Sequence, residues 1–99
     1  MPERRNDQRI ALNLDARWDG LSGGHEARIE DLGLGGCFVN TTGRVDIGED
    51  VVVEIKLPAG DWLQLPGNVV SYQHGIGFGV VFSLLTEIDE EAIRELMPS

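Results

Sequence analysis

The stretch Ile10-Ala11-Leu12-Asn13-Leu14-Asp15-Ala16-Arg17-Trp18 decides the fold class. Ile10, Leu12, Leu14, Ala16 and Trp18 alternate with Ala11, Asn13, Asp15 and Arg17, the period of two that marks a half-buried strand. Beyond it, Asp19-Gly20 and Ser22-Gly23-Gly24 supply turn chemistry, and Ala27 and Ile29 then alternate with Glu26, Arg28 and Glu30. Those two segments predict a β-hairpin. Asp31-Leu32-Gly33-Leu34-Gly35-Gly36 interrupts the second strand, and residues 37–40 resume extended character. Residues 43–50 read as a polar, turn-rich connection. Val51-Val52-Val53-Glu54-Ile55-Lys56-Leu57 is β-branched and ends at the turn sequence Pro58-Ala59-Gly60-Asp61. Residues 62–72 predict one strand, broken or bulged near Pro66-Gly67, where proline removes a ladder donor. His74-Gly75 then turns the chain into a sixth strand over residues 76–82.

The end of the chain changes period. Thr86 with Asp89 matches a helix cap, and Glu87, Asp89, Glu90 and Glu91 suit the positive end of a helix dipole. Ile88, Ala92, Ile93, Leu96 and Met97 share one helical face, which predicts packing on the β-core, and Pro98 stops the element. With no internal repeat or linker, residues 10–99 are expected to form one mainly-β domain with a C-terminal helix. Residues 1–9 are expected to be a flexible, arginine-rich lead-in.

Composition narrows the function classes. Ninety-nine residues support one hydrophobic core. Thirteen glycines fit a turn-rich, all-β fold, and a formal charge of −9 argues against a general binder of nucleic acid or anionic membrane. A single cysteine, Cys37, forms no intrachain disulfide. The polar opening Met1-Pro2-Glu3-Arg4-Arg5-Asn6-Asp7 is unlike a signal peptide, and no apolar run approaches the ~18 residues of a membrane span. A cytoplasmic protein without membrane insertion is expected.

Catalysis finds no motif. His25 and His74 fall in predicted turns, Cys37 reads as a small core residue, and zinc-type ligand spacing is absent. Gly75-Ile76-Gly77-Phe78-Gly79 lies inside a predicted strand with no helix directly after it, so close packing or barrel curvature explains it better than a dinucleotide loop. Two other segments carry chemistry. Arg4, Arg5 and Arg9 form a solvated tail or, alternatively, an anion site, since the guanidinium fork matches phosphate oxygens and the acceptor edge of guanine. Asp31 begins a glycine-rich turn whose glycines are expected at positive φ. Its carboxylate suits the N1 and N2 hydrogens of guanine, while Gly33, Gly35 and Gly36 would let a ligand approach backbone amides. Together they describe a guanine-nucleotide site.

These residues resemble the PilZ domain family, receptors for the bacterial second messenger cyclic di-GMP. Arg5-Asn6-Asp7-Gln8-Arg9 matches the family's RxxxR segment, and Asp31 and Gly36 match the ends of its D/N-x-S-x-x-G motif. Gly33 stands where the family has serine, removing one hydroxyl contact worth ~0.5–1.5 kcal/mol. Residues 75–82 and the acidic helix after them are similar to the family's last strand and helix. The resemblance implies a six-stranded antiparallel barrel with one C-terminal helix and an adaptor without enzymatic activity. It also implies an arginine segment that folds over the ligand and signals to an effector protein. An arginine just before RxxxR, here Arg4, accompanies binding of an interlocked ligand pair in that family, so two cyclic di-GMP molecules per chain are expected. The implied ligand set is Arg4, Arg5, Arg9, Asp31, Gly33, Gly35 and Gly36, with no metal. Two alternatives stay open: a PilZ-like interaction module that binds no nucleotide, and a small barrel for single-stranded nucleic acid. Against the latter stand the acidic charge and the few stacking residues on strands, Trp18, Trp62 and Tyr72.

Overall fold

A computed structural model describes residues 10–96 of the chain. The alternation that starts at Ile10 folds as β1 (Ile10–Gly20), which a two-residue turn joins to β2 (Gly23–Leu32). The remaining elements are β3 (Gly36–Asn40), β4 (Asp50–Lys56), β5 (Trp62–Gln73), β6 (Gly77–Phe82) and α1 (Glu87–Leu96). All neighbouring strands are antiparallel, in the order β1-β2-β3-β6-β5-β4, and β1 pairs with β4 to close the barrel. Closure removes the exposed edges that a six-stranded open sheet would present.

Inward side chains fill the interior. Trp18, Ile29, Leu32, Val39, Val53, Ile55, Leu65, Val69 and Phe78 are all buried, with Trp18 as the largest. Its indole meets Phe78 edge-on at 5.0 Å, stacks on His25 at 4.3 Å, and donates from Nε1 to Thr41 Oγ1 at 3.2 Å. His25 therefore sits within β2, not in a turn as its sequence neighbours suggested, because the hairpin turn needs only Leu21 and Ser22. Cys37 is buried in the core, as expected for a lone strand cysteine.

Two local expectations are corrected. The ladder runs unbroken through Pro66 and Gly67, which pair with Val52 and Val51. The register shift lies three residues later, between Val69 and Ser71. Proline is tolerated because the Pro66 carbonyl accepts from Ser83 N–H at 2.9 Å, on the side where β6 has already ended. No interior ladder bond is lost there. In α1, Thr86 and Asp89 cap each other reciprocally, each side chain accepting the other's backbone N–H at 3.1 Å. Ile93 is fully buried, and Ala92 and Leu96 pack at the margin of the core. Ile88, expected on the same face, is 77% exposed. It precedes Ile93 by five residues, about 140° away around the helix, so anchoring Ile93 turns Ile88 outward. Met97 lies outside the described residues.

The glycines of β6 serve packing, as read from the sequence. A Cβ on Gly77 would run into the Val39 carbonyl, so glycine lets β6 approach β3 closely.

Candidate ligand-binding site

Two bulges bring Asp31 to the outside of the barrel. On the β2–β3 ladder Ile29 pairs with Val39 but Asp31 pairs with Phe38, leaving Glu30 as an extra residue. On the β1–β2 ladder Leu14 opposes Ile29 and Ala11 opposes Asp31, so β1 carries an extra residue too. Simple alternation from His25, Ala27 and Ile29 would send Asp31 inward. The bulge at Glu30 instead gives the core position to Leu32, which is fully buried, and leaves Asp31 half-buried in the wall. A carboxylate is thereby kept out of an apolar interior that would strongly disfavour its charge. Adjacent carboxylates at Glu30-Asp31, just ahead of Leu32, were the sequence signal of this break.

Asp31 lines an open hollow of about 320 Å³ together with Glu30, Phe38, Asn40, Gln73 and Ile76. Phe38 lies directly across from Asp31 on one side and from Gly79 on the other. Gly79 presents no side chain, and its N–H donates to Ser71 Oγ at 3.2 Å on β5. A partly exposed aromatic ring thus stands beside a carboxylate, a surface on which a planar base can lie. Sequence reasoning missed Phe38, Asn40 and Gln73. The signal for Phe38 was its place between the inward residues Cys37 and Val39, which puts an aromatic side chain on the outer face. Among the described residues the lining holds two carboxylates and no cation. Larger hollows lie elsewhere, one of them bounded by Leu21, Arg44, Ile47 and Tyr72.

The turn after Asp31 is closed by Gly33 N–H donating to the Gly36 carbonyl at 2.9 Å. Positive φ was expected in this turn, yet Gly33, Gly35 and Gly36 are not among the positive-φ glycines. Close approach explains Gly36 instead: a Cβ there would collide with the Val80 carbonyl of β6. The Gly35 carbonyl accepts from Phe82 N–H at 2.9 Å, which ties the turn to the end of β6. Arg4, Arg5 and Arg9 lie outside the described residues. The chain enters β1 at Ile10, opposite Leu32, immediately beside this turn.

Two arginines of the barrel wall, Arg17 and Arg28, are engaged elsewhere. Arg17 donates from Nε to Glu54 at 2.6 Å while its guanidinium lies 3.9 Å from the Trp62 ring centre. Arg28 bridges Asn13 and Asp15, at 2.7 Å each. Glu54 is held below the usual carboxylate range, first by the Gln64 amide at 2.6 Å and then by Arg17. Among the described residues no cluster of His, Cys, Asp or Glu forms a metal site, and no helix is long and apolar enough to cross a membrane.

The barrel geometry recurs in solved structures. The motility inhibitor MotI/DgrA of Bacillus subtilis superposes with a TM-score of 0.78 at 16% identity, over 96% of this chain and 49% of that one. The PilZ domain of YcgR from Escherichia coli, solved with cyclic di-GMP, gives 0.76 at 15% identity, over 95% and 88%. The PilZ domain of CeSA from a cellulose-synthesizing bacterium gives 0.71 at 20% identity, over 90% and 93%. The chain thus spans about half of the Bacillus protein and nearly all of the two isolated domains. No curated protein matches it in sequence. The PilZ domain profile, however, matches residues 3–98, taking in the arginine segment, the Asp31 turn and the helix in one alignment. The chain belongs to the PilZ domain family.

Proposed function

We propose that the protein is a cyclic di-GMP receptor that passes the signal to a protein partner and performs no catalysis. The observation that carries this reading is the hollow at Asp31, which offers a base-reading carboxylate and an aromatic face but no cation among the described residues, close to Ile10, the residue that follows Arg5-x-x-x-Arg9 in the chain. A cyclic dinucleotide with two phosphate charges needs cations at such a surface, and the segment supplies them. Asp31 accepts the N1 and N2 hydrogens of a guanine, Phe38 stacks on its ring, and Arg5 and Arg9 fork onto phosphate or guanine. Of the turn glycines Gly35 is exposed and leaves the turn open to close approach, while Gly33 and Gly36 are buried and shape the backbone beneath it. Residues 1–9 act as the ligand-binding segment, and ligand-driven ordering of it over the barrel of residues 10–99 is the conformational step that an effector protein reads. Arg4 adds a third guanidinium, which accommodates a second, stacked ligand. The receptor works in the cytoplasm, without nucleic acid or membrane insertion.

Calorimetric titration with cyclic di-GMP tests the reading. Binding should weaken at least about tenfold in Arg5→Ala and in Arg9→Ala, each charge-assisted contact being worth ~1.5–3 kcal/mol, while the melting temperature of the free protein stays unchanged. Parent-like affinity in both variants overturns the site. No binding by the parent leaves the chain an interaction module of the PilZ fold.

A further inference from the structure

We propose that the outward face of α1, centred on Ile88 with Leu84 just ahead of the helix, is where a protein partner docks, and that this partner presents a basic surface around an apolar pocket. The proposal rests on the receptor reading for the partner's role in signalling, and on the helix itself for its chemistry.

Ile88 is 77% exposed and Leu84 is 78% exposed. Single exposed aliphatics are ordinary on any protein surface, but these two stand four residues apart in one segment, and acidic residues surround Ile88 on the helix. Glu91 and Glu95 follow Ile88 at three and seven residues, on the same side of the helix, and Glu87 precedes it. All three are exposed, and none is ion-paired among the described residues, where Arg94 turns to Glu90 at 3.6 Å.

Helix stability does not account for this face. Acids in the first turn favour the dipole, which explains Glu87, Asp89 and Glu90. Glu95, in the last turn, faces the negative end and is disfavoured there. A β-branched residue on the solvent side of a ten-residue helix also lowers its propensity, and Ile88 gains no burial in exchange. Residues that work against their own element without a packing gain mark a surface selected for something outside the chain.

Charge chooses the occupant. An acidic rim repels phosphate backbones, anionic lipids and a second copy of a chain carrying −9, and attracts a lysine- or arginine-rich surface whose apolar centre receives Ile88 and Leu84. The face also stands close to the ligand site along the backbone. Phe82, bonded to the Gly35 carbonyl, is two residues before Leu84.

The probe is a labelled, amphipathic 14-residue helix of leucine and lysine, titrated with the full chain in the absence of nucleotide and followed by fluorescence anisotropy. Its affinity should fall about tenfold in Ile88→Ser and again in Leu84→Ser, and a leucine–glutamate peptide should not bind. Leu21→Ser removes an aliphatic that is 86% exposed at the tip of the β1–β2 hairpin, and should change nothing. Parent-like binding by Ile88→Ser, or an equal loss in Leu21→Ser, overturns the proposal by reducing the face to undirected charge. Both helix variants should keep the parent's melting temperature and its cyclic di-GMP affinity. Peptide binding through Ile88 in a chain that takes no nucleotide would defeat the receptor reading alone, and nucleotide binding with no role for Ile88 would defeat the docking face alone.

Discussion

Gly33 and Gly36 stand at the two ends of one turn and are glycine for different reasons. Gly33 is buried but does not have positive φ, so its backbone conformation does not exclude a side chain, whereas a Cβ on Gly36 collides with a backbone carbonyl that cannot swing away. Gly33→Ser, which restores the family's hydroxyl, should therefore tighten cyclic di-GMP up to about tenfold in calorimetry. Gly36→Ser should cost ~1–3 kcal/mol of stability or more, read from denaturant unfolding, because β3 and β6 must part. A stable Gly36→Ser protein would mean that the strands have room the structure denies. Asp31 and Phe38 split along the same lines. Asp31→Asn replaces a pure acceptor with a group that also donates, so guanine binding should drop at least about tenfold. Phe38→Ala should weaken binding by the ~1–3 kcal/mol typical of base–aromatic stacking.

Elements are held by local devices that can be cut one at a time. The reciprocal cap of α1 is one: Thr86→Ala removes the hydroxyl that accepts Asp89 N–H, and should cost ~1 kcal/mol of stability. Because Ile93 anchors the helix independently, that loss should appear as fraying in amide exchange over residues 87–90 before it appears in the barrel. The wall formed by β1, β4 and β5 carries another device, Gln64 and Arg17 converging on Glu54 while Arg17 covers Trp62. The pKa of Glu54 is depressed in the folded chain, so the stabilisation from this contact is complete above the unfolded value of about 4.3 and disappears as the pH falls through the lower folded value. Trp62 emission should follow that protonation as Arg17 is released, with a midpoint below that of a free glutamate. The transition should vanish in Glu54→Gln. A midpoint at or above the free value would show that the carboxylate gains nothing from its neighbours.

At the scale of the molecule, charge decides stoichiometry. The chain carries −9, so an interlocked pair of ligands with four phosphate charges needs concentrated compensation, and Arg4, Arg5 and Arg9 are three of its eight cations. Titration of the parent should give two ligands per chain, falling to one in Arg4→Leu, and the second ligand should be lost first as salt rises. A parent stoichiometry of one sinks this arrangement and leaves Arg4 a solvated residue.

Period, turn chemistry and capping are legible in the amino-acid sequence by itself. Alternation from Ile10 makes β1, glycine pairs place the hairpin, and Thr86 with Asp89 places the helix start, because each depends on neighbours within a few residues. The RxxxR and Asp31 motifs are equally visible as residue types at a spacing. Tertiary structure decides the rest. Which way Asp31 points depends on bulges that two neighbouring strands impose on β2, and only the ladders report them. Phe38, Asn40 and Gln73 join Asp31 because β3, β6 and β5 lie side by side, a closure order set by barrel packing and not by sequence proximity. Ile88 faces water because burying Ile93 fixes the rotation of the helix, and the two residues lie about 140° apart around it. Local rules write the elements; the register between them, set by the shared core, aims the side chains.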